Sequence, residues 1–282
     1  MATLEFRLSG RDQFLIGYGA MDKDYAKGFQ LGLVNKTTYF DGIRIGFVNL
    51  GKSRGLSVGV IDGISYSTTS NNSDSANSGL ALSLFGSNYD RIKGVQISGL
   101  INRVLDSCHG VQASSFVNAN EGYHCGLQAS AMNYAKKLRG MQLGIGGGGN
   151  ECYGLAANLV LNRNINLKGM QVGAFNLLED QGYGMQLGLF NCGGNPYIKN
   201  TKYNGVQAGV LNIVTDELNG FQIGLVSYAK DGNYLQIGAI TIRGDGPWYT
   251  RVSPIIGWHR KKDKNIKDKT PVNGPPENKK VV

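Results

Sequence analysis

A chain of 282 residues has room for one large domain or two ordinary ones. Its 42 glycines are twice the ~7 % average share, yet prolines number six, which excludes collagen and Pro-Gly-rich disordered chains. Residues 260–282 carry +5 of the net charge of +9, so the rest is nearly balanced and its basicity does not single out nucleic acid as a partner.

The first residues, MATLEFRLSGRDQ, show no apolar secretion-signal core, and no run of about 18 apolar residues offers a transmembrane helix. Residues 1–27 are expected to form an N-terminal cap with a degenerate first unit, QFLIGYGA from Gln13. From Gly28 to residue 241 the chain repeats. GFQLGLVN from Gly28, GMQVGAFN from Gly169, GMQLGLFN from Gly184 and GVQAGVLN from Gly205 are the clearest of fourteen units about 15 residues long. Weaker units start at Gly42, Gly55, Gly79, Gly94, Gly110, Gly126, Gly140, Gly154, Gly220 and Tyr234. Two longer steps hold insertions at about residues 65–78 and 192–204. Residues 242–259, with SPIIGWHR from Ser253, are the expected C-terminal cap, since a terminal repeat lacks a neighbour on one face. Residues 260–282 are Lys- and Pro-bearing, poor in apolar side chains and aperiodic, and are expected to be a disordered basic arm.

Numbering each unit from its first glycine, apolar residues stand at positions 2, 4 and 6, Gln and Gly at 3 and 5, and Asn at 8. Alternation with period two predicts strands, and the polar stretch after Asn predicts a turn. A strand this short does not bury its apolar face alone, so the units must stack. The expected fold is all-β, a parallel β-solenoid of ~15-residue coils, with positions 2, 4 and 6 inward and a rod on the order of 70 Å long. Gln recurs at position 3 in ten units, as expected of stacked amides bonded along a ladder. The alternative is an antiparallel meander closed into a barrel of about 16 strands, its apolar positions facing lipid.

The GxQxGxxN units, the longer forms GVQISGLIN and GVQASSFVN, and the closing SPIIGW resemble a bacterial surface-repeat family first described in leptospires and common in Bacteroidetes. The resemblance spans about residues 13–258 and rests on the repeat alone. It implies a protein at the cell surface or outer membrane and brings no catalytic residues.

Four constellations are candidates for chemistry. Cys108 and His109 precede Gly110, and His124 and Cys125 precede Gly126, so two Cys-His pairs fall at matching places in consecutive units. Two Cys and two His make a zinc ligand set if they converge at a corner; a Cys108–Cys125 disulfide and plain structural residues are the other readings. Asp24, Asp90, Glu121, Asp180, Asp216 and Asp231 form an acidic turn column that suits either turn chemistry or calcium. Tyr123, Tyr134, Tyr153, Tyr183, Tyr197, Tyr203, Tyr228 and Tyr234 cluster near strand ends, as packing or as a ligand surface. Gln142, Gln171, Gln186, Gln207, Gln222 and Gln236 are the expected flat ligand-binding face. Gly144, Gly146 and Gly149 fit GxGxxG, but no βαβ unit surrounds them, and the four glycines Gly146 to Gly149 are expected to replace the strand end and let a neighbour approach closely.

No catalytic set stands out, so the expected function is a non-enzymatic repeat scaffold, a surface-associated structural or adhesion-type binding protein without an obligate cofactor. Its partner would be a macromolecule or glycan, with self-association open, no specific nucleic acid, and a membrane only in the barrel reading. An outer-membrane pore and a polysaccharide-acting solenoid enzyme are the alternatives.

Overall fold

A computed structural model describes residues 3–9, 12–64, 77–194, 201–244, 247 and 251–261, with side chains from residue 25. The insertion residues 65–76 and 195–200, with Tyr197, and the arm from residue 262 lie outside the described residues, as does the side chain of Asp24. The strand segments are β1 Thr3–Ser9, β2 Asp12–Ile64, β3 Asn77–Ser98, β4 Ile101–Ser114, β5 Val117–Val172, β6 Phe175–Gly193, β7 Lys202–Arg243 and β8 Val252–His259. They form one sheet in strictly sequential order.

From β2 to β7 the pairing is parallel, and the first glycine of one unit lies on the first glycine of the next: Gly55 on Gly79, Gly94 on Gly110, Gly110 on Gly126, Gly169 on Gly184, Gly184 on Gly205. The chain is thus a parallel β-solenoid. Both ends close with antiparallel strands, β1 on the start of β2 and β8 on the end of β7. The barrel alternative is overturned, because β1 and β8 stand at opposite ends of an open stack.

The first glycine is set by backbone geometry. Thirteen of the fourteen units begin with Gly at φ from +111° at Gly28 to +152° at Gly205, where L side chains are strained. Space forbids a side chain as well: a Cβ on Gly126 would lie 2.0 Å from the carbonyl oxygen of Gly110.

Which side of the strand faces in is the reverse of the sequence expectation. All ten position-3 glutamines are buried, whereas Leu31, Leu33, Leu143, Ile145, Ile223 and Leu225, at positions 4 and 6, are exposed. The reason is hydrogen bonding. Inside the coil an amide with a like amide on both sides donates to one and accepts from the other, so burial leaves it satisfied. Gln186 donates to Gln171, Gln207 to Gln186, Gln222 to Gln207 and Gln236 to Gln222, each at 2.7 Å. The asparagines at position 8, or 9 in the longer units, form a second ladder: Asn162 donates to Asn176, Asn176 to Asn191 and Asn191 to Asn212, each at 2.8 Å. Glutamines donate toward the N-terminal end of the rod and asparagines toward the C-terminal end, so the dipoles of the two ladders oppose each other.

Position 5 is the slot for the Asn ladder. A Cβ on Gly188 would lie 2.6 Å from Asn176 Nδ2, and one on Gly224 2.6 Å from Asn212 Nδ2. The motif therefore encodes a corner, a Gln rung, a slot and an Asn rung. Where the unit is a residue longer, a polar side chain takes the slot and bonds the Asn: Ser114 Oγ donates to Asn118 Oδ1 at 2.9 Å.

The apolar core comes from the segment that the sequence presents as a polar turn. Leu138, Leu167, Leu178, Tyr203, Val214 and Leu218 point inward from it and form one continuous cluster, with Tyr89, Ile92, Val104 and Cys108 in a second. The interior is half amide ladder and half dry apolar strip.

Candidate functional site

The six expected ligand-face glutamines are wholly inside: Gln171, Gln186, Gln207, Gln222 and Gln236 are 0 % exposed and Gln142 1 %. The flat Gln/Gly face is therefore not a surface. It became an interior because position 5 has no side chain and the Asn amide fills the gap.

The Cys-His pairs do not converge. Their register sets Cys108 beside His124 and His109 beside Cys125. Because successive strand residues point to opposite sides, Cys108 and His124 are buried while His109 and Cys125 face outward. All four cysteines are free, and among the described residues no group of three His, Cys, Asp or Glu side chains gathers to hold a metal. Burial pushes the Cys108 thiol up to about 12 and the His124 imidazole down to about 4. Both are neutral core side chains near pH 7.

The turn acids meet cations from neighbouring coils. Arg103 bonds Glu121, Lys230 Nζ lies 3.2 Å from Asp216, and His259 Nε2 lies 3.3 Å from Asp231. Glu217 receives Lys261 Nζ at 2.7 Å, and that hydrogen bond holds its carboxyl below the usual range. At these positions the acids meet basic side chains, and among the described residues no three carboxylates gather as a calcium site between adjacent turns needs.

The tyrosines split. Tyr203 and Tyr234 are buried, and their hydroxyls donate to the carbonyls of Gly184 and Ala229 at 3.2 and 3.0 Å. Tyr134 and Tyr228 lie outside, half-buried to exposed. Tyr123, Tyr153 and Tyr183 join an outer cation–aromatic column in which Arg139 sits over Tyr123 and Tyr153, and Lys168 over Tyr153 and Tyr183, at 5.3 to 6.0 Å. Gly147 to Gly149 leave a recess of about 380 Å³ beside Tyr134, Leu161 and Arg163. A Cβ on Gly148 would lie 1.9 Å from the Arg163 carbonyl oxygen, so these glycines admit a close neighbour.

Two features escape a residue-by-residue reading of the sequence. The first is a charge network inside the first coils. Arg44 takes a Gln position, Ser57 the next, and Asp62 an Asn position. Arg44 and Asp62 are fully buried with Nη2 3.4 Å from Oδ1; Ser57 donates to Asp62 at 2.9 Å, and Arg44 Nη1 donates to the Leu50 carbonyl at 3.1 Å. Burial raises the Asp62 carboxyl, opposed by Arg44. The signal was available as an Arg and an Asp standing where the ladders carry amides.

The second is the apolar outside. Positions 2 and 4 line a flat side and positions 6 and 7 its adjoining corner. No Asp, Glu, Lys or Arg stands at any of these positions in the fourteen units. Leu159 is 74 % exposed, Leu84 62 %, Phe116 59 % and Leu225 58 %, and Phe175 stacks on Phe190 at 4.9 Å. Apolar residues scattered singly are ordinary on a surface, but here exposed ones recur in every unit along one side. No family model, curated protein or solved structure matches the chain.

Proposed function

We propose that the chain is a non-enzymatic repeat scaffold, a structural or adhesion-type binding module of the cell surface, which binds through its uncharged apolar side and not through the Gln columns. The observation that carries this reading is the continuity of that side. It runs through every unit without a charge, on a rod whose interior is filled by its own amide ladders and apolar strip. An exposed apolar surface that recurs in every unit along one side marks an interaction site. The outward carboxylates engaged by Arg and Lys of neighbouring coils favour a structural role for them over acid–base chemistry. The resemblance of the GxQxGxxN units to bacterial surface repeats supports the location.

The test is the triple variant Leu159→Ser, Leu189→Ser, Leu225→Ser. The expected result is a thermal midpoint within a few degrees of the parent and at least a halving of the binding of a hydrophobic dye. A variant that unfolds while dye binding rises would overturn the reading, because it would make these residues core. Release of soluble sugar from a polysaccharide panel by the parent would overturn its non-enzymatic part.

A further inference from the structure

We propose that the apolar side docks on an anionic lipid surface, the rod lying flat with its axis parallel to the bilayer. This rests on the reading of that side as the binding surface and names its partner.

The distribution of charge around the coil supports the choice. One rim of the apolar side is the residue before each first glycine, which supplies Lys27, Arg54, Lys93, Arg139 and Lys168, with Tyr153 and Tyr183 between them. The other rim is the residue after each position of the Asn column, which supplies Lys36, Arg103 and Arg163, with Tyr134 and, after Ser227, Tyr228. Asp41 is the one acid on either rim among the described residues. The other outward acids, such as Asp90, Glu151, Asp180 and Asp216, stand two or three residues before the rim, one step further from the apolar face, and Arg103 and Arg163 also reach back to Glu121 and Glu179. Apolar residues flanked by Lys, Arg and Tyr, with acids held away, match the layers of an anionic membrane interface: acyl chains, headgroups, water.

The backbone permits it. In a solenoid the peptide N–H and C=O groups bond along the axis to the coils before and after, so along the paired strands described the flat side presents its backbone groups to hydrocarbon already bonded. A second copy fits the same side less well. Two rods face to face would bring the cationic rims against each other, whereas anionic headgroups neutralise both.

The experiment is flotation of the full chain with vesicles of phosphatidylcholine alone and of phosphatidylcholine with about one third phosphatidylserine, in low salt and in 0.5 M NaCl. The expected result is binding to the anionic vesicles that survives the higher salt in part, because apolar side chains enter the interface. Lys93→Gln, Arg139→Gln, Lys168→Gln together should weaken it about 100-fold, each cation near an anionic surface being worth roughly a factor of five. The Leu159, Leu189, Leu225 serine variant should weaken it at least ten-fold while staying folded. Three outcomes overturn the proposal. The first is no flotation. The second is binding abolished by salt and indifferent to the serine variant, which assigns it to electrostatics alone. The third is a dimer in vesicle-free buffer that vesicles do not disrupt, which gives the side to a second copy. In each case a folded serine variant with reduced dye binding leaves the scaffold reading standing, so the two failures are distinguishable.

Discussion

The coils between Gly169 and Gln236 and the coils between Gly42 and Asp62 have the same backbone but different interiors. The first stretch carries uninterrupted Gln rungs, each identical to the next. The second fills the same columns with one arginine, one serine and one aspartate bonded to each other. What a column requires is therefore a closed set of donors and acceptors, and amides are the simplest such set. Identical rungs carry no register of their own, since slipping by one unit pairs Gln with Gln again. A buried ion pair that occurs once is satisfied in one register only. We expect Arg44 and Asp62 to fix the alignment of the first coils.

The largest effect should come from splitting that pair. Asp62→Asn leaves a buried guanidinium without its counter-charge, a loss of about 3–5 kcal/mol in urea unfolding. The double variant Arg44→Gln, Asp62→Asn puts ladder residues back in ladder positions and should recover most of it. Arg44→Gln alone should depend on pH. Burial raises the Asp62 carboxyl, and without Arg44 it rises further. A folded-state carboxyl raised above its unfolded value holds its proton over the interval between the two. Stability of this variant should therefore fall as pH rises through that interval and be greatest below it. If Asp62→Asn melts with the parent, the two regions do not differ in the way described.

Next is the regular ladder. Gln207→Leu removes the donor to Gln186 and the acceptor of Gln222, which keeps only the Tyr228 carbonyl at 3.2 Å. Leaving buried amide groups unpaired costs about 1–3 kcal/mol each, so a loss of roughly 2–4 kcal/mol is expected. Gln142→Leu should cost about half as much. Its carbonyl already lacks a donor, because the next coil has Ala156 in the column, and only the bond to Gln128 is lost. Equal losses at the two sites would mean that the ladder does not act rung by rung.

A third effect separates the apolar strip from the ladders. His124 is buried, and its imidazole is held down to about 4 by burial, against an ordinary 6.5. The unfolded chain binds the proton first as pH falls, so stability is lost progressively from about pH 6.5 to about pH 4 and then levels, by up to about 3 kcal/mol. Above pH 6.5 this group contributes no slope. His124→Gln should flatten this part of the pH profile; a profile unchanged by the substitution would remove His124 from the strip's account.

The repeat, its parallel stacking and the bonding of glutamines along the axis were legible in the sequence, because they follow from spacing and residue type. Which side faces inward was not. Period two defines two faces, and the assumption that apolar means buried selected the wrong one. Two signals pointed the other way. Gly46 and Asn49, like Gly188 and Asn191, recur three apart because a side chain at the first would collide with the amide ladder. In addition, Val104, Leu138, Leu167 and Leu178 stand one or two to a turn in segments dominated by polar residues, and these are the real core. The Cys-His pairs illustrate parity. Adjacent residues point to opposite sides, and the order reverses between the units, so the stack sets a cysteine beside a histidine on each side. Arg44 and Asp62 escape a reading that treats residues singly, since each is anomalous alone and ordinary as a pair.

The smallest effect tests the comparison from outside. Arg103 and Glu121 are also an arginine–carboxylate pair between neighbouring coils, but their side chains are 50 % and 47 % exposed. Water already solvates both charges, salt screens them, and two long side chains lose freedom in meeting. Arg103→Ala should therefore cost under ~1 kcal/mol in unfolding, and the cost should shrink in 0.5 M NaCl. Salt should not shrink the cost of Asp62→Asn, whose charges no counterion reaches. The same two functional groups then differ several-fold in effect because of where the coil puts them. A salt-sensitive Asp62→Asn variant would show instead that the first coils admit water, and that Arg44 is a surface residue folded over and not a rung of the interior.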